Sequence, residues 1–239
     1  MPTKTILVLA NSVKKSPGRC IAGREADLSV KPIKVGRWLR PVSPTSEAHE
    51  GELIPSRHCS LDGGGTPSVL DIVEVPLLGP RSDPGQPENW EVVSGARWRR
   101  VQRVSAANLG TLAETPADLW LDGGSRTDRI SVQAQLAKPS SPSLVLIRPR
   151  QFRVKMWTEF NPFKGYDQHK TRGSFTYSGV EYSLSITDDQ FTSAHCPKHD
   201  GKEHDFAPPF GDDCLLCVSL GAPFDGYHYK LIATVIPLK

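Results

Sequence analysis

The apolar positions of this 239-residue chain come in short runs, and nearly every run is closed by Gly, Pro, Ser or Asp within a few residues. With 21 Pro and 20 Gly, the sequence leaves almost no window long enough for an uninterrupted amphipathic helix, which favours a β-rich architecture. Early strands are predicted over 4–11, 19–24, 37–43 and 69–78. The stretches 63–67 and 79–85, rich in Gly and Pro, read as loops. One helical zone interrupts the strands at 101–120, where Ser105 is placed to cap Ala106 to Ala113 and Pro116 to open a second short helix through Trp120. Strand signals resume at Ile130, and 138–143 reads as a wide turn before Leu144 to Arg148. Phe175, Tyr177, Tyr182, Leu184 and Ile186 alternate on either side of Ser178-Gly179, the clearest hairpin signal in the chain. Cys214 to Leu220 and Tyr227 to Ile236 add two more strands.

Each half thus offers about five strands, the number an OB barrel uses. The expected fold is mainly β, with two tandem OB-like small β-barrels over 1–128 and 129–239 and a short helical insertion in the first half. A single β-sandwich is the structural alternative, because a strand count does not fix closure. The apolar fraction of 38% supports an ordinary buried core. The first ten residues have too short an apolar run for a signal peptide and read as a first strand. No stretch approaches the roughly 18 apolar residues that a bilayer span requires, so no membrane partner is expected. Five unevenly placed cysteines argue against a secreted disulfide framework and for a cytoplasmic protein.

Leu7-Val8-Leu9-Ala10-Asn11-Ser12-Val13-Lys14, Gly18-Arg19-Cys20-Ile21-Ala22-Gly23 and Arg37-Trp38-Leu39-Arg40-Pro41-Val42-Ser43 resemble a bacterial family of dual-OB domain proteins. The likeness continues through Gly51-Glu52-Leu53 and Pro87-Glu88-Asn89-Trp90 to Tyr182–Asp188, Leu216–Gly221 and Tyr229–Ala233, nearly the whole chain. The resemblance implies two OB units and a role in nucleic-acid sensing or bacterial conflict systems. Fold alone leaves the ligand open, since OB barrels bind oligonucleotides, oligosaccharides and proteins.

Charge narrows the choice. Lys and Arg number 29 against 26 Asp and Glu, a net +3, so any anion binding must be local. Between Leu144 and Tyr177 seven bases face two acids and are threaded with seven aromatics. Phosphates need the first set and unstacked bases the second. Arg153, Lys155, Trp157 and Tyr177 are the candidates there, although a solvated basic face would look the same. In the earlier basic run, Asn11, Lys14 and Arg19 flank a turn where a phosphate could sit. Trp38 and Arg40 share one face of a strand, where they either stack a base beside its phosphate or form core with a snorkelling arginine. The expected partner is single-stranded nucleic acid or a nucleotide, with a protein partner as a further reading.

Cys196-x-x-His199 and, fourteen residues later, Cys214-x-x-Cys217 have the paired spacing of a tetrahedral zinc site, with His195 and His204 as substitutes. Such a site would be structural, pinning its loop to the following strand. The alternative is a buried strand cysteine at Cys217. No organic cofactor is expected, because neither a P-loop nor a Gly-x-Gly-x-x-Gly pattern is present. Enzyme signatures are otherwise sparse and no catalytic residue is assigned. Asp188 and His169 are the proton-transfer candidates of a rival enzyme reading, with capping the favoured job for Asp188.

Overall fold

A computed structural model describes residues 2–15, 18–31, 33–44, 54–81, 83, 85–124, 126–162, 164–198 and 200–238. The first sheet comprises β1 (Thr3–Lys15), β2 (Gly18–Asp27), β3 (Lys34–Val42), β4 (Ile54–Pro55), β5 (Asp71–Pro80), β6 (Asn89–Val92) and β7 (Arg99–Arg103). β1, β2 and β3 form an antiparallel meander, β6 runs parallel to β3 and antiparallel to β5, and β5 returns to β1. This is a closed five-stranded OB barrel, with β4 and β7 added at its margins.

The second sheet comprises β8 (Arg129–Ser131), β9 (Leu144–Ile147), β10 (Arg150–Asn161), β11 (Tyr166–Tyr177), β12 (Val180–Ile186), β13 (His204–Phe206), β14 (Cys214–Leu220) and β15 (Tyr227–Pro237). The order repeats: β10, β11 and β12 form a meander, β15 is parallel to β12 and antiparallel to β14, and β14 pairs with β9. Only Arg148 and Pro149 separate β9 from β10, so the ring is completed along the chain itself. Its first strand is broken where the proline removes a backbone donor. Two short helices, α1 (Val132–Leu136) and α2 (Asp189–His195), are capped by the side chains of Ser131 and Asp188.

The expected hairpin forms at Ser178 and Gly179, whose φ of 48° and 77° suit a two-residue turn between twisted strands. The helices expected over 106–113 and 116–120 do not form. Ser105 does cap its segment, accepting from the Ala107 amide, but the chain beyond it makes only two single 3-10 turns, Ala106–Asn108 and Gly110–Leu112. Gly110 falls inside the expected run, where glycine disfavours a continuing helix.

Three apolar clusters fill the molecule. Ile6, Val8, Ile21, Leu39, Val73, Leu77 and Trp98 fill the first barrel, and Ile147, Phe152, Met156, Phe175, Tyr182, Leu216 and Ile232 the second. The third lies between them and joins Leu7, Leu9, Ala22 and Trp38 to Leu144, Leu146, Leu215, Cys217 and Ile236. β1, β9, β14 and β15 therefore bury both faces, which is why their sequences are near-continuous apolar runs rather than alternating ones.

A polar network crosses the same junction. The Arg40 guanidinium donates to the Ser143 hydroxyl at 2.9 Å and lies 3.3 Å from Glu88, with both charged side chains under 5% exposed. The Ser143 hydroxyl and amide in turn donate to Glu88. Nearby, the Glu114 carboxylate accepts from the Trp38 indole at 3.0 Å and from the Leu146 amide at 2.9 Å.

Glu88→Gln, which removes the carboxylate charge beside the buried Arg40 guanidinium, should cost about 3 kcal/mol in urea unfolding. Gly23→Ala should cost about 3 kcal/mol as well, because a Cβ there would run into the Leu7 carbonyl. Lys230 is buried, with its ammonium 5.7 Å from the Tyr182 ring centroid and no hydrogen-bond partner among the described residues. Burial pulls its pKa down to about 8, against the upward pull of Asp122, Asp118 and Asp128. The unfolded chain then binds more protons than the folded one between pH 8 and 10.5, so Lys230's contribution to stability rises with pH across that window. Unfolding curves through that range should show this rise in the parent protein, and Lys230→Met should flatten it.

Candidate nucleic-acid interface

The first-half candidates fall at the junction rather than on an open surface. Asn11 is buried, its amide donating to the Pro67 carbonyl at 2.6 Å and its oxygen accepting from Arg19 at 3.0 Å. Arg19 also lies 3.7 Å from Asp189 on α2, and the Asn11 backbone amide reaches Thr234 on β15. Trp38 and Arg40 are 7% and 3% exposed, so the expected base-stacking face is occupied by the second barrel. Alternation along the strand put them correctly on one face. The cover over that face comes from residues distant in sequence, Glu88 and Glu114 as well as Ser143, Leu144 and Leu146. The side chain of Lys14 lies outside the described residues.

In the second barrel the basic and aromatic residues do assemble. Along β10, Phe152, Val154 and Met156 point into the core, so Arg153, Lys155 and Trp157 point out. Register then sets Ser174, Arg172 and Lys170 of β11 directly opposite those three, and Ser185 and Ser183 of β12 beyond Arg172 and Ser174. Arg153, Lys155, Trp157, Lys170 and Arg172 thus form one patch on the outer face, with the Lys155 ammonium 5.9 Å from the Trp157 ring centroid. Tyr177 does not belong to it. It faces inward, packs on the core and donates its hydroxyl to the Pro116 carbonyl at 2.8 Å, and burial raises its pKa.

The patch continues where sequence reasoning saw no site. An open groove of about 500 Å³ runs from Arg153 and Gln151 across Ser174, Thr176 and Ser183 to Thr127. Next to Thr127, the Asp128 carboxylate is held below its usual range, chiefly by hydrogen bonds from Arg129 and in part by the nearby charge of Arg172. Arg129 lies 4.6 Å from the Tyr229 ring centroid and 5.6 Å from that of Tyr227. Phe224, 71% exposed in the loop between β14 and β15, packs against Tyr229 with centroids 6.3 Å apart. The legible signal was a bulky aromatic set between Pro223 and Asp225-Gly226, since a loop tip has no core to bury it in.

Acids also reach the patch from elsewhere in the chain. β13 pairs with the edge of β10, setting Asp205 opposite Lys155. Asp205 lies 2.7 Å from the Arg153 guanidinium, and Glu203 lies 2.9 Å from the Lys155 ammonium. The hydrogen bond to Glu203 is the largest cause that raises the Lys155 pKa.

The expected cysteine and histidine set is not brought together as one shell. Cys214 lies on the face of β14 that enters the second barrel, and Cys217 on the face that enters the junction. Two residues pointing to opposite sides of a strand cannot close on one ion. Burial pushes the Cys214 thiol up to about 12 and the Cys196 thiol up to about 11. His195 packs against Phe191 and Phe210, His204 pairs with Asp200 at 2.9 Å, and His199 lies outside the described residues. Among the described residues no three His, Cys, Asp or Glu side chains are grouped to hold a metal.

Asp188 is the N-cap of α2, accepting from the amides of Phe191 at 2.9 Å and Val235 at 3.0 Å, and burial raises its pKa. His169 is exposed near the far end of the β10–β11 hairpin, 3.2 Å from the Thr158 hydroxyl. The two candidates for proton transfer thus sit on different elements.

Among solved structures, one titled "Crystal structure of the tetrameric p202 HIN2" is similar at 9% identity and a TM-score of 0.30, over 98% of this chain and 92% of that one. So distant a likeness says nothing of what this chain binds. No curated protein matches it. No helix among the described residues is long and apolar enough to cross a membrane. The family model of the dual OB-containing domain matches residues 4–235, in keeping with the two barrels, and the chain belongs to that family.

Proposed function

We propose that this protein binds single-stranded nucleic acid along the outer face of its second barrel, from Trp157 and Lys155 through Arg153 and Arg172 to Arg129 and Phe224. The observation that carries this reading is the register of β10 and β11, which gathers bases and a tryptophan from separate sequence positions into one exposed patch. OB barrels use the face of their second and third strands, together with the loops between strands one and two and between four and five, to hold oligonucleotides. Here β11, β12 and the loop from β14 to β15 occupy those positions.

A single strand suits the surface better than a duplex or a small nucleotide. Trp157 and Phe224 present flat apolar faces that only unstacked bases can meet, while the cations between them track a backbone. The groove is open rather than enclosing, as a polymer requires. The ligand is held and not chemically altered, in keeping with an Asp188 carboxylate that is engaged as a helix cap. A protein partner is the second reading, favoured by the exposure of Phe160, Tyr166 and Phe224.

Fluorescence anisotropy with mixed-sequence single-stranded DNA and RNA of about 20 nucleotides separates these readings. The nucleic-acid reading expects binding that weakens steeply with salt, because each neutralised phosphate releases counterions. Arg153→Ala combined with Trp157→Ala should weaken it by at least tenfold, since one stacked base alone is worth about 1–3 kcal/mol. No binding to either polymer at low salt would overturn the proposal.

A further inference from the structure

Building on that reading, we infer that Glu203 and Asp205 are built-in phosphate mimics: they occupy the positions that backbone phosphates take on Arg153 and Lys155, and the ligand must displace them to bind. Three features of the segment that carries them point this way. First, the contacts match those an oligonucleotide would make. Asp205 meets the Arg153 guanidinium through two nitrogens, at 2.8 Å from Nε and 2.7 Å from Nη2, and Glu203 meets the Lys155 ammonium at 2.9 Å. Both nitrogens meet the one oxygen Oδ1, and a phosphate oxygen can accept from a guanidinium in the same way.

Second, the spacing is that of a strand laid along a strand. Lys155 and Arg153 lie two residues apart on one face of β10, and Glu203 and Asp205 lie two residues apart on the segment beside it. Each acid reaches its base diagonally: Asp205 stands opposite Lys155 in the backbone register but meets Arg153, and Glu203, just before β13, meets Lys155. Further across the patch, Lys170 is hydrogen-bonded to the Gln168 amide oxygen and Arg172 to the Ser183 hydroxyl and carbonyl, while Arg129 pairs with its chain neighbour Asp128. Glu203 and Asp205 cover the β10 edge of the patch.

Third, the cover can yield without unfolding the barrel. The side chains of Glu203 and Asp205 are 60% and 52% exposed, so both can rotate into solvent while the three backbone pairs of β13 stay in place. Exposed ion pairs are weak, so a polyanion that brings several phosphates at once can outcompete two of them, while an isolated anion gains little. The device would thus select for length and suppress non-specific binding of small anions.

The test compares Glu203→Gln with Asp205→Asn, singly and combined, against the parent protein in the same anisotropy titration. The combined variant should bind the 20-nucleotide strand on the order of tenfold more tightly at low salt. Its affinity should also depend more steeply on salt, because the parent's displaced carboxylates take up cations as the strand binds. The single variants, each exposed and unable to disturb the core, should fall between. If the parent binds and the combined variant binds within about twofold of it with the same salt slope, the inference is overturned and the nucleic-acid reading stands. If the parent and the variants all fail to bind at low salt, the reading fails and takes the inference with it.

Discussion

Strand β1 carries Ile6 and Val8 on the face that fills the first barrel and Leu7 and Leu9 on the face that meets the second. β9, β14 and β15 do the same from the other side, with Leu144, Leu146, Leu215, Cys217 and Ile236 turned toward the first barrel. A buried Leu or Ile contributes about 1.5–3 kcal/mol, whereas a buried Arg–Glu pair returns little once its desolvation is counted. The apolar cluster therefore holds the two barrels together. The Arg40, Glu88 and Ser143 network satisfies the charges that this junction buries, and removing one charge would deprive the other of its buried counterpart.

This junction makes two barrels of the same strand order unequal. The first presents the outer face of its meander, Leu7, Ala22 and Trp38, to its neighbour and so has no open face there. The second docks through residues of β9, β14 and β15, and no residue of β10 or β11 belongs to the junction cluster among the described residues. Its meander is left facing solvent, and it is on that meander that Arg153, Lys155, Trp157, Lys170 and Arg172 stand. One barrel turns its meander face to its neighbour and the other keeps that face open to solvent, although the two share one strand order.

Much of the fold could be read from the order of residues because the signals involved are local. The Ser178-Gly179 turn needs two residues of positive φ, and the alternation from Phe175 to Ile186 sets the inward face with a period of two. Arg153, Lys155 and Trp157 were legible as basic and aromatic candidates, while their outward direction comes from the strand that β10 forms. The helices expected between 101 and 120 did not form even though Ser105 caps its segment, because Gly110 interrupts the run and only single 3-10 turns follow.

Sequence by itself determined the β-rich class, strands such as 4–11, 180–187 and 214–220, and the Ser178-Gly179 turn, since each depends on a few consecutive side chains and their periodicity, and its motifs carry the resemblance to the dual-OB family. Only the tertiary structure decided which apolar faces meet and which basic residues stay open. A tryptophan beside an arginine has the same local pattern whether it stacks a base or a neighbouring barrel, and Trp38 became core because β9, β14 and β15 cover it. A run of bases likewise keeps its charge on paper while Glu203 and Asp205, some fifty residues on, neutralise two of them. Burial and Coulomb attraction act through space, and no window of sequence contains the partner that arrives from elsewhere.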